Sequence, residues 1–375
     1  MFDGSRLLPL LTVLVASAAA TVPPREALAI PYFAHEYAMT CQKCHSVIPR
    51  LNEFGTAFMD HGYSLPGATP QRVFPIAGKF NLLYSSAQPE PQGLPKAIVD
   101  EIELFVAGKP TDRTNYFVEQ YVVDGGEPGS LRDGWLAYRL TPNDAKVPVY
   151  AQAGQFGLPL PVDPESFRET YQGYAPYLQT VGDNPFDFFT PKIGVQVRAG
   201  SADRGLSVRA LALQGHDQQS GLPAYGTDVM GYAQQIFGPF ALSTYHYEGA
   251  RPDGPFVDRF WRQGYGVTFG SRKWVSESVW QTGNDSAFER TNAAAMSSGG
   301  FTQLRYEIDR RLFALARYEG TNGPTSTGAT GGFERDFVGL LGYRVSRNSR
   351  FTVEDVVQHV PATTNTLNMQ YTAGY

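Results

Sequence analysis

Five adjacent residues, Cys41-Gln42-Lys43-Cys44-His45, carry the types and the spacing for one particular chemistry. C-x-x-C-H is the attachment signature of a c-type haem. Its two thiols are placed to form thioethers with the porphyrin vinyl groups, and the adjoining imidazole reaches the iron as proximal ligand. Cys41 and Cys44 are the only cysteines in the chain. A thioredoxin-like dithiol wants a βαβ context, which does not follow here. A structural zinc site wants four protein ligands, and no second C-x-x-C or paired His is present. The motif therefore predicts one covalent haem c, held by Cys41, Cys44 and His45.

The sixth ligand stays open. His61 shares a helical face with Phe54 and Phe58 and is the first choice for the distal axial position. Met59, rotated off that stripe, is the alternative. Met39, two residues before Cys41, and His35 are further choices, as is water or a residue outside the segment.

These residues need a frame. Residues 30–72 read as a small helical segment. Pro49 is tolerated in a first helical turn, Leu51, Phe54, Phe58 and His61 recur on one face, and Gly62 can close the helix. About forty residues bury little core alone, so the segment needs the haem, another body, or both. Residues 1–29 read as a secretory signal peptide, with Arg6 in its positive region, Leu7–Ala16 as its apolar run and cleavage after about position 18–29. Export suits the haem, because thioether attachment in bacteria takes place outside the cytoplasm.

From residue 73 to 375 the texture changes to short runs rich in Val, Phe, Tyr and Leu, broken by Gly, Pro, Asn and Asp. About sixteen runs, centred from Leu82 to Tyr371, are long enough to cross a bilayer as tilted strands. Ile102, Leu104 and Val106 alternate with Glu101 and Glu103; Leu304, Tyr306 and Ile308 alternate with Gln303, Arg305 and Glu307. In the runs around Val118 and Ala210 the apolar face is ambiguous. Short polar turns such as Gly270-Ser271-Arg272 take every second place, and longer connections such as 157–187, 215–226, 283–298 and 320–334 fall between them. That asymmetry is the mark of an outer-membrane barrel. The last strand, Leu367 to Tyr375, alternates and ends on an aromatic. The fold class is all-β: a transmembrane outer-membrane β-barrel of about sixteen antiparallel strands behind a short N-terminal α-helical haem segment.

Composition agrees. Charged residues make up 18%, against roughly 25% in soluble domains. A net charge of −5 without a long basic run gives no support to nucleic-acid binding. After the N-terminus no apolar run reaches the ~18 residues of a membrane helix. Glu101, Glu103, Arg305, Glu307, Arg317 and Glu319 fall on the inner face, where such residues line a polar lumen or pair with one another. His216 and Asp217 form a speculative surface cation site, of ligand types that Fe(II) accepts. No nucleophile triad, phosphate loop or metalloprotease motif is present.

The stretch Pro31-Tyr32-Phe33-Ala34, Cys41–His45, Pro49-Arg50-Leu51-Asn52-Glu53-Phe54-Gly55 and Gly62-Tyr63 resembles the monohaem cytochrome–porin fusions of bacterial outer membranes. Their best-known members are outer-membrane iron oxidases. The motif match covers some thirty-five residues; the rest agrees in size, strand number and order of parts. The resemblance implies a haem segment that plugs or lines the barrel and passes electrons across the membrane, and it does not fix the donor. The main reading takes an extracellular donor, Fe(II) before others, and a periplasmic carrier such as a soluble cytochrome. An Fe(II) oxidoreductase activity would follow from that donor. The alternative is a transport porin with a structural or regulatory haem plug. A third reading, a soluble periplasmic β-protein with a haem tail, predicts extraction without detergent.

Overall fold

The computed structural model describes residues 31–63, 65, 76–87, 97–182, 184–201, 205–215, 226–253, 255–271, 273–287, 291, 293–324, 332–360 and 362–374. The N-terminal segment runs through α1 (Pro31–Glu36) and α2 (Cys41–Cys44). A tight antiparallel pair, His45–Val47 with Arg50–Leu51, leads to α3 (Glu53–Asp60). The expected helix begins later than the sequence suggested. Pro49 sits in the turn of the small pair, and Asn52 caps α3 by accepting the Gly55 amide at 2.9 Å. The expected end holds. Gly62 has φ +68, its amide donates to the Met59 carbonyl, and the Tyr63 amide donates to Phe58. This is a Schellman closure, which places glycine in the left-handed position.

Sixteen strands then form a closed antiparallel ring. They are β1 (Ile76–Ser85), β2 (Ala97–Thr111), β3 (Thr114–Asp124), β4 (Leu131–Arg139), β5 (Val149–Phe156), β6 (Lys192–Gly200), β7 (Leu206–Gln214) and β8 (Thr227–Phe237), followed by β9 (Phe240–Asp253), β10 (Phe256–Gly270), β11 (Trp274–Asp285), β12 (Ala295–Glu307), β13 (Leu312–Gly323), β14 (Gly332–Arg344), β15 (Ser349–Val360) and β16 (Ala362–Gly374). A two-residue strand, Glu127–Pro128, adds to β3. The ring closes where β16 pairs with β1, from Asn368↔Ser85 to Gly374↔Lys79.

The burial pattern is inverted relative to a protein dissolved in water. Leu82, Val195, Trp280 and Tyr318 point outward and are 42–55% exposed, while Gln303, Arg305, Arg317 and Glu319 point inward and are 0–2% exposed. An outward apolar face and a polar interior, alternating along each strand, are what a bilayer selects. Aromatics gather at one rim: Phe240 packs against Phe237 and Phe269, and Trp274 against Tyr306 at 4.1 Å. Among the described residues no helix is long and apolar enough to cross a membrane; the strands make the crossing. This is a bacterial outer-membrane barrel.

The rim that carries the chain ends also carries the short turns, and by the rule for these barrels it faces the periplasm. The opposite rim carries the longer connections, with three departures from the pattern. Residues 254–255 join β9 to β10 and residue 361 joins β15 to β16 there, and residues 140–148 make a longer connection between β4 and β5 on the periplasmic rim. Two expected loops are shorter than their sequence suggested. Gly283, Ser297, Ser298 and Gly323 are taken into β11, β12 and β13.

Two inserts fill the lumen. The connection between β5 and β6, residues 157–191, folds inward with a short helix α4 (Ala175–Leu178). Its Leu158, Leu160, Tyr174, Tyr177, Phe186 and Phe188 pack against inward Leu211, Leu213, Tyr245, Tyr247 and Phe301. The N-terminal segment occupies the periplasmic half, where α3 contacts the first residues of β5 and β7 and the last of β6.

Candidate functional site

The segment's two ends brace against different walls. Val47 packs on Phe313, Leu315 and Leu340 of β13 and β14. At the other end the Tyr150 hydroxyl donates to the His61 carbonyl at 2.7 Å. Between them Arg50 is buried and bidentate to Glu277 of β11, at 2.5 and 3.1 Å. Arg50 also donates to the Phe167 carbonyl, and the Leu51 amide donates to Ser166. Plug and inward loop are thus tied to each other and to the barrel. The loop has its own anchors: Glu169 to Arg305 at 2.7 Å, and the Tyr171 and Gln172 amides to Glu354 at 2.8 and 2.9 Å.

A cavity of about 250 Å³ lies between segment, loop and wall, just under the ~300–1,000 Å³ common for cofactor sites. From the segment it is lined by Cys44, His45, Leu51, Gly55, Phe58 and Met59. Phe117 and Trp135 of β3 and β4 close one side, stacked beyond Tyr63, which itself lies flat on Phe33 at 4.6 Å. Charged wall and loop residues, among them Lys79, Glu103, Glu119, Glu165, Arg198 and Arg209, complete the lining. Cys41 is buried but is not part of it.

The imidazole of His45 is held in a defined state. Its Nδ1 lies 2.9 Å from the Pro49 carbonyl. A carbonyl only accepts, so Nδ1–H donates and Nε2 keeps its lone pair, the arrangement that orients a metal-binding histidine. Burial holds its pKa below the ordinary value, against the raising effect of backbone hydrogen bonds to Pro49 and Arg50. Neither thiol is in a disulfide, and burial pushes each up to about 11. A redox dithiol needs the opposite shift. Among the described residues no group of three or more His, Cys, Asp or Glu is arranged to hold a metal ion, which leaves the zinc reading without ligands there.

Helix α3 sets the side facing His45. A Cβ on Gly55 would lie 2.2 Å from the Cys44 carbonyl oxygen, so this helix can settle on the cysteine turn only through a glycine. One turn on, Met59 joins Gly55 and Phe58 on the cavity face. His61 falls at the C-cap and is not among the lining residues, nor is Met39. The side chain of His35 and the pair His216–Asp217 lie outside the described residues.

The lumenal charges named from the sequence pair with one another. Glu101 and Glu103 share Lys79 at 3.3 and 2.5 Å. Arg305 meets Glu307 at 2.7 Å, and Arg317 meets Glu319 at 3.0 Å. The cavity-lining Arg198, Arg209 and Glu119 had not been singled out; Arg209 and Glu119 lie in the two runs whose alternation is ambiguous.

No protein-family model matches the chain, and no curated protein matches it. Solved structures do. OmpF of Salmonella typhi, in complex with daunomycin, is 14% identical with TM-score 0.61 over 80% of this chain and 97% of that one. The outer-membrane channel DcaP of Acinetobacter baumannii is 12% identical with TM-score 0.57, covering 80% and 96%. OmpT of Vibrio cholerae is 10% identical with TM-score 0.56, covering 81% and 99%. At such identities the likeness is one of fold, and the fold is porin-like.

Proposed function

We propose that this barrel is an outer-membrane electron conduit of the cytochrome–porin fusion type, carrying one covalent haem c in its periplasmic half. The observation that carries the reading is the state of His45. The histidine of a C-x-x-C-H motif lines a lumenal cavity, with Nδ1–H donating to Pro49 and Nε2 keeping its lone pair. Cys41 and Cys44 would hold the group through thioethers, His45 would supply one axial ligand, and Met59 is the side chain best set to supply the other. When bound, the haem supplies one-electron transfer at its iron. The protein's own residues orient the imidazole, hold it neutral and shield the site with Phe58, Phe117 and Trp135. The donor is extracellular, Fe(II) by preference, and the acceptor a periplasmic carrier such as a soluble cytochrome, to which this rim is open.

Solute transport is the second reading, favoured by the channel-like fold of the structural neighbours. Against it stands a lumen filled by two cross-tied inserts. One experiment separates them. Protein purified in detergent should stain for covalent haem, lose the stain when Cys41 and Cys44 are both replaced by Ala, and show haem reduction on mixing with Fe(II). Staining that survives the double replacement, or haem that Fe(II) never reduces across pH and chelation, overturns the conduit.

A further inference from the structure

Arg198 of β6 and Arg209 of β7 are direct cross-strand partners, and both line the cavity. Like charges set opposite each other in a sheet repel. The carboxylate that answers them is Asp60, 3.6 Å from Arg209 Nη2. Arg198 is only 7% exposed. Its guanidinium lies over the Tyr150 ring at 4.7 Å, and Nη1 reaches the Met59 carbonyl at a long 3.4 Å. Nε and Nη2 of Arg198, and Nε of Arg209, are buried without a hydrogen-bond partner among the described residues. Of the acids elsewhere in the lining, Glu103 is engaged with Lys79, Glu165 with Arg132, Asp163 with the amides of Glu165 and Ser166, and Asp133 with the Gly157 amide.

Buried guanidinium donors left unmatched are costly, and their fork matches a carboxylate. The position in the ring names which carboxylate. Val47, three residues after Cys44, packs on Phe313, Leu315 and Leu340 of β13 and β14, and β6–β7 stand on the far side of the ring from those strands. A porphyrin carries its two propionates on the edge away from its vinyls. We propose that Arg198 and Arg209 form a clamp for the propionate carboxylates of the haem whose vinyl edge is held at Cys41 and Cys44. The inference rests on the haem reading above.

The test uses full-length purified protein carrying Arg198→Gln, Arg209→Gln or both. Covalent haem should remain, the midpoint potential should fall with each change and further with both, and the propionate bending band in the resonance Raman spectrum should shift. Arg198→Lys, which keeps the charge but not the fork, should restore most of the potential while leaving the band shifted. Asp60→Asn removes the competing carboxylate and should raise the potential. A merely structural disturbance would move the Asp60 and arginine variants in the same direction, and that result overturns the clamp. So does an unmoved band and potential in the double variant. If the double variant fails to fold, Arg198→Lys and Asp60→Asn decide alone. Wild-type protein without covalent haem sinks the haem reading itself, and the clamp with it. That outcome is distinct from a haem-bearing protein whose band does not move.

Discussion

Two side chains compete for the position facing His45, and they lie two residues apart at the C-terminal end of α3. Met59 lines the cavity, while His61 lies beyond the last helical turn. Met59→Leu should therefore convert a low-spin spectrum to a high-spin or ligand-exchanged one and lower the midpoint potential, since Met raises the potential relative to His. His61→Ala should leave the absorption spectrum unchanged. The reverse pattern would assign the imidazole. The sequence favoured His61 because the stripe through Phe54 and Phe58 points to it. The face that meets the cavity runs through Gly55, Phe58 and Met59 instead. A glycine adds nothing to an apolar period, so that face is silent in the sequence. The tie from His45 to Pro49 was equally hidden, because it depends on the turn that brings Pro49 back. Arg209 lies in the ambiguous run around Ala210, but the inward orientation of Arg198 was legible from alternation. Their adjacency was not, because it follows from the register between two strands.

At the next level up, α3 illustrates two opposed effects at one residue. Gly55→Ala should favour the isolated helix by about 1 kcal/mol. Its new Cβ would meet the Cys44 carbonyl at 2.2 Å, and such overpacking costs roughly 1–3 kcal/mol or more against rigid backbone. The clash wins, so the substitution should lower the denaturant midpoint of the haem spectrum while heat-modifiable gel migration of the barrel persists. An unchanged or raised midpoint would show that the turn can yield. The strands were the most legible elements: each of the sixteen expected centres falls inside a strand. The two ambiguous runs have a physical cause. Phe117 of β3 faces the plug, and Leu211 and Leu213 of β7 face the inward loop. Where the lumen is filled by apolar inserts, both faces of a strand are apolar and the period of two fades.

For the molecule as a whole, the filled lumen bears on what can pass. Liposomes carrying the full-length chain should admit small sugars slowly, and deletion of residues 31–63 should raise swelling rates several-fold. Fast flux through the intact protein would favour the porin reading. The plug's mooring explains why removal should matter: Arg50 alone joins the segment, the inward loop and β11. None of this mooring was readable beforehand. Its partners lie more than a hundred positions apart in sequence, and only closure of the ring brings them together.

The wall is of uneven height. β4 to β7 are 8 or 9 residues long, whereas β10 has 15. At ~3.3 Å per residue and a tilt of ~40°, the short side spans about 20–23 Å of depth and the tall side about 38 Å. The apolar band of such barrels is ~25 Å tall. Hydrophobic mismatch is thus built into one flank and absent from the other. Lipid beside β4–β7 must thin, or the whole barrel must lean toward that flank. The low flank is the one that carries Arg198 and Arg209, so bilayer thickness presses hardest on the wall that lines the lumenal cavity.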